Sequence, residues 1–235
     1  MRGPGFRTLG LSLIAALGLM AFAATSAQAL GNWRIEGANI NATKEFESEK
    51  DSNGFKILVP TMNIEVFCEN FATDDGLLFA GVKAGEGLAE LLFTTCSVNQ
   101  LSPLTALPCT VANFTAKVKF SLILHKTKNY LYVEPDGGKE FTKIKFAGAS
   151  CLLMPEYAIT GQVVLQDGLS GDFATELIKH LVEEAPQKLF NLQFEEGIFL
   201  PLSQITFGSA AATLDGSAWL KLKAPEANKN WSGLV

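Results

Sequence analysis

Phe114, Ala116, Val118, Phe120, Leu122 and Leu124 alternate with Thr115, Lys117, Lys119, Ser121, Ile123 and His125. Side chains of a strand point to opposite faces in turn, so this period of two makes one face apolar and leaves the other largely wet. The pattern predicts a long, half-buried strand. A strand of this kind cannot bury its apolar face alone and needs a sheet and a second layer. The same period recurs. Tyr157, Ile159, Gly161, Val163 and Leu165 share a face, as do Met62, Ile64, Val66 and Cys68, with Thr61, Asn63 and Glu65 opposite. Ala218, Leu220 and Leu222 repeat it, alternating with Ser217, Trp219, Lys221 and Lys223.

Gly-containing turn signals lie between these runs: Asn53-Gly54, Asp74-Asp75-Gly76, Ala84-Gly85-Glu86-Gly87, Asp136-Gly137-Gly138, Asp167-Gly168 and Asp215-Gly216. Asn-Gly and Asp-Gly accept the positive φ of tight hairpins, and short loops join antiparallel neighbours. The strands expected on this basis include 55–59, 61–71, 77–82, 88–97, 117–125, 130–134, 140–146 and 157–166. One stretch has a different period. Phe173, Leu177 and Leu181 follow the spacing i, i+4, i+8, Ser170 or Asp172 can cap, and Pro186 stops. The expected architecture is all-β: an antiparallel β-sandwich, or a flattened barrel, with one short capping α-helix near 171–185.

Residues 1–29 carry Arg2 and Arg7, then an uncharged Leu- and Ala-rich run, then Ala27-Gln28-Ala29. That is the pattern of a secretory signal peptide cleaved after Ala29. It leaves residues 30–235 as a single β-rich domain without a transmembrane anchor. Export changes how Cys68, Cys96, Cys109 and Cys151 read. Four cysteines in an oxidising compartment form two disulfides, and three connectivities are possible. The strand order expected here brings Cys68 and Cys96 to one rim of the β structure. Next-but-one strands in a single sheet lie about 9–10 Å apart, so the bond needs a bent strand or an opposing sheet. The preferred pairing is Cys68–Cys96 with Cys109–Cys151.

Composition excludes several functions. With 19 Lys+Arg against 24 Asp+Glu there is no basic excess to meet phosphates, so no nucleic-acid partner is expected. At 48% hydrophobic and 18% charged the chain can build a core. No catalytic residues are assigned. His125 falls on a strand and His180 on the expected helix, and there is no G-x-S-x-G elbow. The acid pairs Asp74-Asp75, Glu183-Glu184 and Glu195-Glu196 fall in a turn, at a helix end and on opposite faces of a strand. Without C-x-x-C or an alternating acidic loop, no metal or cofactor is expected. The 17 Phe against 3 Tyr stand out. They fit a thick β core or a cavity lined for an apolar ligand. Trp33 and Trp231, near the two ends of the exported chain, fit pinning of terminal strands better than a sugar-stacking platform with Trp219.

The segments Trp33-Arg34-Ile35-Glu36-Gly37, Ile64-Glu65-Val66-Phe67-Cys68, Leu92-Phe93-Thr94-Thr95-Cys96-Ser97-Val98 and Pro108-Cys109-Thr110-Val111 form a layout with Gly148-Ala149-Ser150-Cys151 and Ala212-Thr213-Leu214-Asp215-Gly216-Ser217-Ala218. This layout resembles the uncharacterised, secreted, β-rich four-cysteine proteins of high-GC Gram-positive bacteria. The resemblance implies export and two disulfides, and it carries no activity. The expected protein is a non-enzymatic structural or binding protein of the cell envelope, periplasm or extracellular space, with a partner there. The alternatives are a carrier of an apolar small molecule and a hydrolase of envelope glycans.

Overall fold

A computed structural model of the chain describes residues 31–125, 128–167, 178–182, 204–227, 229 and 231–234. The strands are β1 (Asn32–Ile35), β2 (Ala38–Asn39), β3 (Lys44–Val59), β4 (Ile64–Leu78), β5 (Glu86–Leu101), β6 (Leu104–Ala106), β7 (Thr110–Val111) and β8 (Phe114–His125). They continue with β9 (Lys128–Pro135), β10 (Glu140–Ala147), β11 (Glu156–Asp167), β12 (Ile178–Val182), β13 (Gln204–Phe207), β14 (Ala210–Leu222) and β15 (Trp231–Leu234). The all-β, antiparallel expectation holds. Of the two architectures expected, sandwich or barrel, the chain takes the barrel: the sheet closes on itself with eight strands rather than splitting into two layers.

Closure follows from the pairing. β3, β4, β5 and β8 pair in succession, β8 pairs with β9, and β9 pairs with β11. β9 and β10 both run antiparallel to β11, at residues 163–166 and 156–160 respectively, so together they fill one strand position. β12 and β13 likewise share the next position, each bridging β11 to β14. β14 then pairs with β3 from Leu222↔Phe46 to Thr213↔Leu58 and completes the ring. This is an up-and-down meander, the simplest way for a sheet to lose its edges.

The helix expected near 171–185 is corrected within the described residues. Ile178–Val182 is a strand, its backbone paired with Ser217, Ala218, Trp219 and Leu220 of β14 and with Gln166 and Asp167 of β11. The ring would be open at this point without it, and two neighbours offering backbone hydrogen bonds override a short helical period. His180 therefore belongs to a strand. The rest of that stretch, the leader at 1–29, and the pairs Glu183-Glu184 and Glu195-Glu196 lie outside the described residues.

Several turn signals mark irregularities inside long strands. Asp74-Asp75-Gly76 is a bulge within β4, with Asp75 at φ 50°, and β4 continues to Leu78. Asn53-Gly54 belongs to an excursion of β3, whose pairing with β14 jumps from Lys50↔Ala218 to Phe55↔Gly216. Asp136-Gly137-Gly138 joins the collinear β9 and β10. Bulges sharpen the coil of a strand, which a small closed barrel requires. Gly216, at φ 147°, lies where an added Cβ would be 2.7 Å from the Gly54 carbonyl oxygen, so the two strands meet closely at this bend.

β8 alternates as expected from Phe114 to Phe120, with Phe114, Ala116, Val118 and Phe120 buried and Lys117 and Lys119 exposed, but Leu122 and Ile123 are both buried although Ile123 was expected on the wet face. The outer wall carries cross-strand ion pairs: Lys119–Glu134 at 2.9 Å, Lys221–Glu47 at 3.2 Å and Lys117–Glu90 at 3.6 Å. The hydrogen bond to Glu134 raises the Lys119 pKa above its usual value. Exposed pairs contribute about 0.2–1 kcal/mol each at most, so their main consequence is the character of the wall. The barrel is apolar within and charged without, the inverse of the outward apolar band of membrane barrels. Among the described residues no helix is long and apolar enough to cross a membrane.

Cys68 is bonded to Cys96, and Cys109 to Cys151. Cys68 and Cys96 face each other directly in the β4–β5 ladder, because the chain does not reverse at Gly76 and the two strands are nearest neighbours. Glu65, expected on the wet face, is buried and accepts a hydrogen bond from Asn99 Nδ2 at 3.1 Å. Replacing both Cys68 and Cys96 by Ala is expected to lower the unfolding free energy by about 2–4 kcal/mol, read by urea denaturation, while the β-type circular-dichroism spectrum persists.

Candidate functional site: the barrel lumen

The inward faces do not fill the barrel. They enclose a cavity of about 150 Å³. Its wall follows from the alternation just described. Phe55 of β3, Phe71 of β4, Phe93 of β5 and Phe114 of β8 come from four successive strands and all reach the cavity. Their rings form a continuous band. Centroids are 4.5 Å apart for Phe55–Phe71, 5.3 Å for Phe71–Phe93 and 4.9 Å for the stacked pair Phe93–Phe114. Each such pair adds about 0.5–1.5 kcal/mol beyond area burial. Ala89 and Ala116, both buried, line the same space and leave it open. Large residues there would fill it.

Aromatic rings pack at both barrel ends. At one end β1 pairs with β2 and β15 in a separate three-stranded sheet. It carries Trp33 and Trp231, each only 2% exposed. Trp33 Nε1 donates to the Glu86 carbonyl oxygen at 2.8 Å, and its ring meets Phe120 edge-on at 6.0 Å. Trp231 lies 6.0 Å from Trp33 and 6.5 Å from Phe46. Gly87 lies opposite Phe120 in the β5–β8 ladder, and a Cβ there would come within 2.3 Å of the Phe120 ring, so glycine makes room for that ring. Lys44 at the start of β3 and Lys229 both hold Glu226, between β14 and β15. The hydrogen bonds from Lys229 and Lys44 keep the Glu226 carboxyl below its usual pKa. The terminal tryptophans thus pin terminal strands, and their burial leaves no exposed indole pair for sugar stacking.

At the opposite end, reached by following β3 towards Val59, Tyr157 stacks on Phe207 at 4.5 Å and Phe146 packs against both. The phenylalanine content therefore serves both readings of the sequence, with packed rings at the ends and a lined cavity between them.

The lining is apolar except at two threonines. Thr73 of β4 faces inward among Phe71, Leu91 and Phe93, directly opposite Leu91 in the ladder. It is 8% exposed, and its Oγ1 has no hydrogen-bond partner among the described residues. Thr142 also reaches the cavity but is partly exposed. None of the described lining residues is ionisable. The lumen can therefore dissolve an apolar molecule. Among the described lining residues it carries no charged side chain.

Of the residues considered for catalysis, Asp74 and Asp75 do not line this cavity. Asp74 and Asp75 are exposed on the outer side of the β4 bulge. His125 ends β8 and His180 sits in β12. Among the described residues no three His, Cys, Asp or Glu side chains come together as a metal site. The four cysteines are all in disulfides. Sequence reasoning missed Thr73, which precedes a turn-like Asp-Asp-Gly and carries no signal of its own.

The chain matches no known family model, no curated protein and no solved structure. The lumen itself offers a direct check on its packing. Phe93→Ala removes a ring that touches Phe55, Phe71 and Phe114, and is expected to cost about 3–5 kcal/mol in urea denaturation.

Proposed function

We propose that this protein is a non-enzymatic binding protein that holds a small apolar molecule inside its barrel. The observation that carries the reading is the cavity of about 150 Å³, walled by the Phe55–Phe71–Phe93–Phe114 band within a closed ring of strands. An eight-stranded barrel has an interior just wide enough for its own side chains or for one small ligand. Close-packed interiors contain few voids larger than a water molecule, so a space of this size is a departure from ordinary packing. Apolar cavities of about 150 Å³ accept benzene. This magnitude favours a single-ring molecule over a long-chain lipid, since sites for larger ligands run to about 300–1,000 Å³.

The protein is read as acting outside the cytoplasm, in the envelope, periplasm or extracellular space. The two disulfides and the leader-like first 29 residues support that reading. The resemblance to secreted four-cysteine bacterial proteins is consistent with it. A hydrolase of envelope glycans has less support, because that chemistry needs two converging carboxylates and no described carboxylate lines the cavity.

Titration calorimetry with toluene tests the reading. The expected result is saturable 1:1 binding with a Kd between about 1 mM and 1 μM, roughly −4 to −8 kcal/mol. Ala116→Phe, which puts a ring into the cavity, is expected to abolish the heat of binding while the protein stays folded by circular dichroism. No binding by the unmodified protein, or equal binding by a folded Ala116→Phe protein, contradicts the proposal. The affinity is further expected to stay flat from about pH 5 to 9, because none of the described lining residues titrates there.

A further inference from the structure

The ring of strands is not hydrogen-bonded along its whole length. One edge of β8 pairs with β5 from Phe114 to Ser121, but the other edge pairs with β9 only from Val118 to His125. Beside Phe114–Lys117 runs β10, close to β8 yet without a ladder to it among the described residues. Two backbone hydrogen bonds mark the ends of this slit. The Asp136 N–H donates to the Lys117 carbonyl oxygen at 2.9 Å, and the Ala112 N–H to the Lys145 carbonyl oxygen at 3.1 Å. Residues 113–116 lie between them, and a strand covers about 13 Å over four residues.

The slit borders the cavity. Phe114 and Ala116 line the space from β8, and Phe141 and Thr142 line it from β10. The β8 pair is buried, whereas Phe141 and Thr142 are partly exposed, so the lining reaches the surface on the β10 side. The β10–β11 register passes from Glu140↔Thr160 to Thr142↔Ile159, which makes Phe141 the extra residue of a bulge. Among the described residues it has no ladder partner on either side. The joint that precedes it contains Gly137 and Gly138, at φ 86° and 74°, where an added Cβ would meet nothing within 4 Å. Backbone with few interstrand hydrogen bonds opens at low cost. The β3–β4 ladder also lapses, between Phe46 and Phe55, but Phe55, Phe71 and Thr73, which line the cavity there, are buried.

We propose, resting on the binding function above, that the ligand enters and leaves through the slit between β8 and β10, and that the Phe141 ring is its gate. Outward movement of Phe141, allowed by the bulge and the glycine joint, uncovers the lumen, and its return covers the ligand. Phe141 sets the rate of binding more than its strength.

Fluorobenzene, close to toluene in size, tests this, with Kd from titration and exchange rates from fluorine NMR line shapes. Phe141→Ala is expected to raise the association rate constant about tenfold or more. Phe141→Leu, closer in size to the native residue, is expected to raise it about threefold, and carries the test where the alanine variant does not fold. Val118→Ala removes bulk from the lining on a stretch paired to both Ala89 and Pro135, and is expected to stay within about twofold. An unchanged association rate in the folded Phe141 variants, or an equal rise in Val118→Ala, overturns the gate while fluorobenzene binding at equilibrium leaves the binding reading standing. No fluorobenzene bound by the unmodified protein overturns both.

Discussion

The hydrogen-bonded ladder between β14 and β3 is the constraint on which the rest depends. A meander of amphipathic strands has two exposed edges and one apolar face in need of cover. Joining its last strand to its first resolves both problems together. Closure turns the alternation of each strand into an inside and an outside. It also sets the diameter, and with it the space between opposite walls. The bulges at Asp74–Gly76 and at residues 51–54 follow from the same requirement, because strands of 15 and 16 residues must bend to stay within so tight a ring.

The cavity is a consequence of how the residues divide along the barrel axis. Large rings are concentrated at the two ends, where Trp33, Trp231, Phe46 and Phe120 meet on one side and Phe146, Tyr157 and Phe207 on the other. The middle has rings on one half of the wall and small residues, Ala89 and Ala116, among them. Rings in the same half stack on one another around the wall instead of reaching across it. The protein thus keeps its stability in the end rings and the phenyl band, and keeps the centre open without a polar lining that would favour water over an apolar guest.

Much of the fold was readable because period two survives in single strands. Phe114–Leu122 announced its own buried face, and the tryptophans near the ends were recognisable as pins. What failed was anything depending on closure. Asp-Asp-Gly and Asp-Gly-Gly have the same chemistry in a hairpin and in a bulge, and only the neighbouring strand decides between them. Ile178–Val182 is too short for its period to be certain, and the need to bridge β11 and β14 settles it. The site was legible only as an excess of phenylalanine. Whether rings fill a core or line a space depends on what stands across from them.

The most direct measurement is a crystal structure determined under xenon pressure, since xenon enters apolar cavities of this size without needing any polar partner. The account predicts xenon inside the ring of strands, in contact with Phe71, Phe93 and the Thr73 side chain. Side chains packed against one another across the barrel axis, with no xenon between them, would contradict it.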